Sequence, residues 1–252
     1  MKYMGGKYML KTKISNVMKG QVKPDMVDGY LEPFCGACSV LTIMNHDYDC
    51  TASDYHPDLI ELWKSVQNHT FIPPTDMTEE TYNTIKQLPS PNALKAFVGF
   101  GCSFGGKFFA GYADKYKKGK QENYLKEATN SIHKKKDKFH GIHFDCCSYD
   151  EWEPHNMLIY CDPPYKITKN PVKYRTETKY YDVFNNDHFW DVMREWSKDN
   201  YVFISETTAP DDFVKIWSKS THRSASQSDK TRYKNPSDSF TEECLFVHKN
   251  TI

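Results

Sequence analysis

Five consecutive residues, Cys161-Asp162-Pro163-Pro164-Tyr165, follow directly on the apolar run Met157-Leu158-Ile159-Tyr160. A short apolar run of this kind reads as a buried strand, and open α/β sheets bind ligands beyond the carboxyl ends of their strands. The strand exit therefore presents a carboxylate, a rigid turn and an aromatic face at one place. Proline has no N–H to compete as a donor, and its fixed φ limits where the preceding carbonyl can point. Asp162 can accept one hydrogen of an exocyclic amine, the Pro163 carbonyl can accept the other, and Tyr165 can stack on the ring that carries it. An amine held in that way aims its nitrogen lone pair at an electrophilic carbon, the geometry of an in-line transfer driven by positioning. The same four residues can equally form a plain strand-to-turn exit, so the elements around them must decide.

Those elements alternate in the manner of an α/β fold. Tyr30–Glu32 reads as a first strand before Pro33, and Ala37–Met44 as the helix after it. Cys50–Ser53 reads as a second strand ending at Asp54, and Asp58–Val66 has helical periodicity. Ile142–Phe144 and Met157–Cys161 are short strands, and Asn186-Asp187 opens a helix running to about Lys198 with Phe189, Val192, Met193 and Trp196 on one face. Tyr201–Ile204 is a further strand, Asp211–Ser218 a further helix, and Cys244–His248 a closing strand. The stretch 73–139 interrupts the alternation with a Pro73-Pro74 start, five glycines between Gly99 and Gly111, and helical segments at Thr78–Leu88, Asn92–Phe100 and Gln121–Phe139. It reads as an insertion into a core formed by 1–72 and 140–252.

The composition, 38% hydrophobic and 26% charged over 252 residues, suits one domain with an insertion. No apolar run approaches the ~18–20 residues that a membrane span requires, and Met1–Lys7 lacks a secretory apolar stretch. The expectation is a cytoplasmic protein with its eight cysteines as free thiols. Cys35-x-x-Cys38 has the spacing of half a zinc site, but no second pair completes it, so no metal is expected. The formal net charge is zero, yet the charge is unevenly placed. Lys107–His140 holds ten lysines against four acids, and Lys215–Lys234 holds six Lys/Arg against one acid. Asp47–Leu62 and Asp145–Asp162 each hold five acids and no Lys/Arg. Such segregation suggests separate surfaces, the basic ones suited to a polyanion, although a basic run can also be merely a solvated face.

Taken in order, Tyr3-Met4-Gly5-Gly6-Lys7, Glu32-Pro33-Phe34-Cys35-Gly36-Ala37-Cys38-Ser39-Val40, Asp54-Tyr55-His56-Pro57-Asp58-Leu59-Ile60 and Asp162-Pro163-Pro164-Tyr165 resemble the Dam-like, alpha-group DNA adenine-N6 methyltransferases over nearly the whole chain. The resemblance implies a Rossmann-like S-adenosylmethionine-dependent methyltransferase sheet with a mainly helical target-recognition insertion, double-stranded DNA as partner and a flipped-out adenine as substrate. It implies that Asp162, Pro163, Pro164 and Tyr165 carry the transfer. It further implies that Tyr3 and Lys7 contact S-adenosylmethionine or close over the site, that Phe34 and Gly36 form the turn against its methionine part, and that Asp54 accepts from its ribose hydroxyls. Asp54 reads otherwise as a helix cap before Pro57-Asp58. Asp145 and Cys146 would lie near the cofactor adenine, and Asp162 near its reacting end.

One position departs from the family pattern: Cys38 stands where a glycine is usual, which bears on cofactor affinity. The dinucleotide fingerprint G-x-G-x-x-G is absent, which counts against a nicotinamide enzyme. Residues 166–183 interleave Thr168, Tyr174, Tyr180 and Tyr181 with five Lys/Arg, where the family has a loop that wraps the flipped base. Lys115, Lys117, Lys118 and Lys120 in the insertion, with Tyr174 and Tyr181 in this loop, are the candidate DNA contacts. A methyltransferase acting on cytosine N4, RNA adenine or protein glutamine is the first alternative, disfavoured by the leading aspartate of the motif. A non-catalytic nucleic-acid-binding relative is the second, disfavoured by the intact Asp162–Tyr165 and Lys7.

Overall fold

A computed structural model describes residues 1–117, 120–165, 184–222 and 240–251. Its centre is a seven-stranded sheet built from β1 (Gly29–Glu32), β2 (Cys50–Ser53), β5 (His143–Asp145), β6 (Met157–Cys161), β7 (Tyr201–Glu206), β8 (Phe213–His222) and β9 (Phe240–His248), in the spatial order β5-β2-β1-β6-β7-β9-β8. The first five strands in that order run parallel, and β9 pairs antiparallel with both β7 and β8. β3 (Asp114–Lys117) and β4 (Lys120–Asn123) pair separately as a two-stranded ribbon.

The central strands β6 and β7 are buried on both faces, which is why they read as near-continuous apolar runs, whereas the edge strand β5 is exposed at His143. Side chains still alternate between the two faces. Tyr30, Leu158, Tyr160 and Phe203 join one apolar cluster, whereas Leu31, Ile159, Cys161, Val202 and Ile204 join the other. The first cluster is filled from α1 (Lys11–Gln21), α2 (Leu41–Met44), α3 (Pro57–Gln67), α5 (Ala93–Gly101) and α6 (Tyr124–Lys136). The second is filled from α7 (Asn186–Trp196), whose Phe189, Trp190, Met193 and Trp196 recur at helical spacing and are all buried. The result is a sheet covered by helices on both faces. No helix among the described residues is long and apolar enough to cross a membrane.

Helix starts follow local chemistry. Thr78 before α4 (Glu79–Lys86), Asn92 before α5 and Asn185 before α7 each accept a backbone N–H from three residues on. Asp58, in the first turn of α3, accepts from Ser90 Oγ at 3.0 Å and Asn92 N at 2.8 Å, which ties the start of α5 to the core.

Several elements differ from the sequence expectations. Residues 213–222 form β8 rather than a helix over Asp211–Ser218. The register shifts between Lys215 and Trp217, so Phe213, Ile216 and Trp217 mimic a helical i, i+3, i+4 pattern on a bulged strand. The first crossover helix is confined to Leu41–Met44, because Pro33–Val40 is a loop. Residues 120–123 are strand, so α6 starts at Tyr124. Helix α1 has no counterpart in the sequence reading; only Ile14, Ser15 and Met18 of its eleven residues are buried, a face too narrow to stand out.

Candidate active site

Four neighbouring strands end on one edge of the sheet, and each delivers a polar group there. In spatial order β5 brings Asp145, β2 brings Asp54, β1 brings the Phe34–Cys38 loop and β6 brings Asp162. Strand order reverses between β1 and β6, so the edge around Phe34 and Asp162 is the topological switch point where such sheets hold ligands.

The β1 loop is held from beneath and from the side. Gly36 has φ +42°, and a Cβ there would meet the Tyr3 ring at 2.9 Å. Only glycine fits both the backbone and the contact. The Gly36 carbonyl accepts from Trp63 Nε1 at 2.8 Å, and the Ala37 carbonyl accepts from Lys135 Nζ of α6. Cys38 is fully buried with φ +52°, a left-handed conformation rare for a side-chain-bearing residue. The family's usual glycine thus coincides with a position whose backbone favours glycine. Phe34 turns to the opposite face of the sheet, with its ring 5.1 Å from Tyr149 and 5.9 Å from Phe189.

Asp54 locks onto this loop. Its Oδ2 accepts from Gly36 N and its Oδ1 from His56 N, both at 3.0 Å. It does not cap α3, so the cap alternative falls. Burial pushes the Asp54 carboxyl up to about 6, against the two N–H bonds that favour its charged form. Each oxygen accepts one N–H and keeps acceptor capacity for a hydroxyl. Asp145 Oδ1 accepts from Cys146 N at 2.9 Å, and the Asp145 carbonyl accepts from Asp54 N at 3.4 Å. Cys146 itself is exposed.

Around Asp162 the structure assembles a four-residue polar cluster. Lys7 Nζ donates to Asp162 Oδ1 at 2.7 Å and to the Gly5 carbonyl at 3.1 Å, and it lies 3.5 Å from Glu243 Oε1. The Tyr165 hydroxyl donates to Glu243 Oε1, and the Lys7 ammonium sits 4.7 Å from the centre of the Tyr165 ring. Lys7 and Glu243 are nearly buried, at 7% and 11% side-chain exposure. Burial opposes the Lys7 charge, but the Asp162 and Glu243 carboxylates hold its pKa above the usual lysine range. Burial raises both carboxyl pKa values, with Lys7 pulling each back.

The motif residues therefore fall into two adjoining groups, Lys7 with Asp162 and Tyr165, and Tyr3 with Gly36 and Asp54. Lys7 lies on the Asp162 carboxylate. Pro163 is buried and Pro164 half-buried beside it. Asp145 and Cys146 stand three strands from Asp162, about 14 Å at ordinary strand spacing. Lys115, Lys117 and Lys120 fall on the backbone of the β3–β4 ribbon, whereas Lys118, Tyr174 and Tyr181 lie outside the described residues. Glu243, Glu32, Trp63 and Lys135 were not singled out from sequence. Glu32 is an acid inside a strand buried throughout, a signal that was legible. It accepts from Tyr30 Oη at 2.7 Å, and burial pushes its carboxyl up to about 8. Among the described residues no group of three or more His, Cys, Asp or Glu side chains could hold a metal ion.

A seven-stranded sheet of this order, with β9 antiparallel between β7 and β8 and polar groups at successive strand ends, is consistent with a Rossmann-like methyltransferase fold. The sequence matches the model of the D12 class N6 adenine-specific DNA methyltransferases over residues 3–98 and 103–233. The chain belongs to that family and is an adenine-specific DNA methyltransferase. Family and fold together imply S-adenosylmethionine as methyl donor. Among solved structures it is similar to the rRNA methyltransferase aviRa from Streptomyces viridochromogenes, at 11% identity and a TM-score of 0.44, covering 98% of this chain and 86% of that one. That likeness is distant, and the fold assignment stands on strand order and direction. No curated protein matches the sequence.

Proposed function

We propose that this chain transfers a methyl group to N6 of an adenine turned out of double-stranded DNA, as an alpha-group, Dam-like member of its family. The observation that carries the reading is the placement of Asp162 and Tyr165 at the switch point, with Lys7 bonded to the Asp162 carboxylate. Asp162 accepts one N6 hydrogen and the Pro163 carbonyl the other, while Tyr165 stacks on the base and Pro164 stiffens the turn. Holding both hydrogens fixes the direction of the nitrogen lone pair. As the N–C bond forms, the nitrogen becomes acidic and one proton must leave. The Asp162 carboxylate, its pKa raised by burial, is placed to receive it.

The residues at the neighbouring strand ends fit S-adenosylmethionine. Asp54 retains acceptor capacity for a ribose diol, and the Gly36 turn is closed by Tyr3 so tightly that a Cβ has no room. Tyr3, Phe34, Gly36 and Asp54 would hold it, with Asp145 and Cys146 towards its adenine, Asp162 at its reacting end and Lys7 closing the site through Asp162. When bound, its sulfonium supplies an electrophilic methyl carbon.

Residues 73–139 are read as the target-recognition insertion, with 1–72 and 140–252 as the catalytic domain. Lys115, Lys117, Lys118 and Lys120 would contact phosphates, and Tyr174 and Tyr181 would wrap the flipped base. Flipping costs a few kcal/mol, which phosphate contacts offset. The test is expression in a host lacking adenine methylation, followed by sequencing of its DNA for N6-methyladenine, with Asp162→Ala in parallel. Methyladenine at a defined site, lost in the variant, is expected. No methyladenine with the native chain, methyl groups on cytosine N4 or RNA instead, or full activity in Asp162→Ala would each overturn the assignment.

A further inference from the structure

Glu243 lies outside the motif that delivers Asp162 and Tyr165, yet it touches both Lys7 and Tyr165, the other two residues grouped around that carboxylate. It reaches them because β9 runs antiparallel. Its neighbour Cys244 pairs with Glu206, the last residue of β7, so Glu243 stands at the edge where the parallel strands end. There its Oε1 accepts from the Tyr165 hydroxyl and lies 3.5 Å from Lys7 Nζ.

We propose that Glu243 is a positioning residue for methyl transfer, pinning the Tyr165 ring and sharing Lys7 with Asp162. The proposal rests on the reading of Asp162 and Tyr165 given above. A tyrosine at a strand exit has two rotatable side-chain bonds, and the hydroxyl bond to Glu243 fixes the far end of the ring. Lys7 covers one ring face at 4.7 Å from its centre, so a base that stacks on Tyr165 would take the opposite face. Lys7 also stands between two carboxylates. Without Glu243 its charge falls on Asp162 alone, and a carboxylate drawn fully to an ammonium accepts more weakly from an amine.

A glutamine keeps an acceptor for Tyr165 and removes the charge, whereas a leucine removes both. The experiment compares the native chain with Glu243→Gln, Glu243→Leu, Tyr165→Phe and the double variant Glu243→Leu/Tyr165→Phe. It uses a duplex containing the methylated site, and again that duplex with 2-aminopurine in place of the target adenine. Single-turnover methyl transfer, DNA affinity and 2-aminopurine emission are read for each form.

The leucine variant is expected to lose about 10–100-fold in transfer rate with DNA affinity within about threefold, the split expected when positioning is lost and binding is not. Its 2-aminopurine emission should shift in the same sense as that of Tyr165→Phe. The double variant should be no slower than Glu243→Leu by more than about threefold, because both substitutions remove the same Tyr165–Glu243 bond. The glutamine variant should keep the bond to Tyr165 and lose the charge shared with Lys7, so its rate should fall between those of the native chain and the leucine variant. A leucine variant at the native rate, or losses that multiply fully in the double variant, would overturn the proposal. So would equal losses in glutamine and leucine variants that track thermal stability alone. If leucine prevents folding, the glutamine variant decides: its transfer rate must stay within about tenfold of native and its emission must remain native-like. An inactive native chain would instead refute the parent assignment of Asp162.

Discussion

Replacing Lys7 with methionine tests the electrostatics of the site most directly. The substitution keeps much of the buried volume but removes the cation that lies 2.7 Å from Asp162 and 3.5 Å from Glu243. Breaking a buried ion pair by deleting one partner costs about 3–5 kcal/mol, because the remaining charge loses its compensation. Here two acids remain, and they can neutralise themselves by binding protons. Both carboxyl pKa values are already raised by burial and held back by Lys7, so its loss lets them climb further. A carboxyl whose pKa is raised on folding costs stability as pH rises past its unfolded value near 4. The deficit of Lys7→Met against the native protein should therefore be largest at pH 8, at about 3–5 kcal/mol. It should shrink as pH falls, by about 1.4 kcal/mol per pH unit for each extra proton held. Urea unfolding of both proteins at pH 5, 6.5 and 8 measures this. A deficit that does not change with pH would show that Lys7 does not compensate the two acids.

Three further outcomes are expected. Glu32→Gln should raise stability by an amount that grows from near zero at pH 4.5 to a few kcal/mol at pH 8, since burial holds Glu32 protonated up to about 8; equal stabilisation at both pH values would refute this. Cys38→Gly should stay within about 1 kcal/mol of native, trading relief of the +52° φ against a lost buried thiol, while Cys38→Val should cost more than about 2 kcal/mol; denaturant midpoints separate the three. Calorimetric titration with S-adenosylmethionine should show affinity steady above pH 7 and weakening below about 6, where Asp54 takes up a proton; Asp54→Asn should bind weakly at every pH, and a native profile that stays flat through pH 5 would count against the ribose role.

Much of the fold could be read from sequence because its central strands are buried on both faces and so appear as bounded apolar runs. Met157–Cys161 and Cys50–Ser53 coincide with the strands found. What could not be read depended on long-range pairing. Residues 213–222 have an apolar spacing that suits a helix, and only β9 alongside, with the bulge at Lys215–Trp217, makes them a strand. Residues 114–117 and 120–123 are almost wholly polar, so nothing in their pattern announces a pair of strands. The site divides in the same way. Asp54 and Asp162 sit at ends of legible strands, whereas Glu243 is one of two adjacent glutamates, distinguished only by which of them β9 turns inward.

The antiparallel course of β9 has a consequence for how the enzyme comes into being. Lys7 and Glu243 are separated by more than two hundred residues of sequence, so their meeting is a strongly non-local contact. During synthesis the ribosome releases Lys7, then the Asp162 turn, long before the strand that carries the second acid. A nascent chain can lay down the parallel sheet and still lack the partner that steadies the tyrosine. The four-residue cluster around Asp162 is therefore complete only once β9 has been made and has paired with β7.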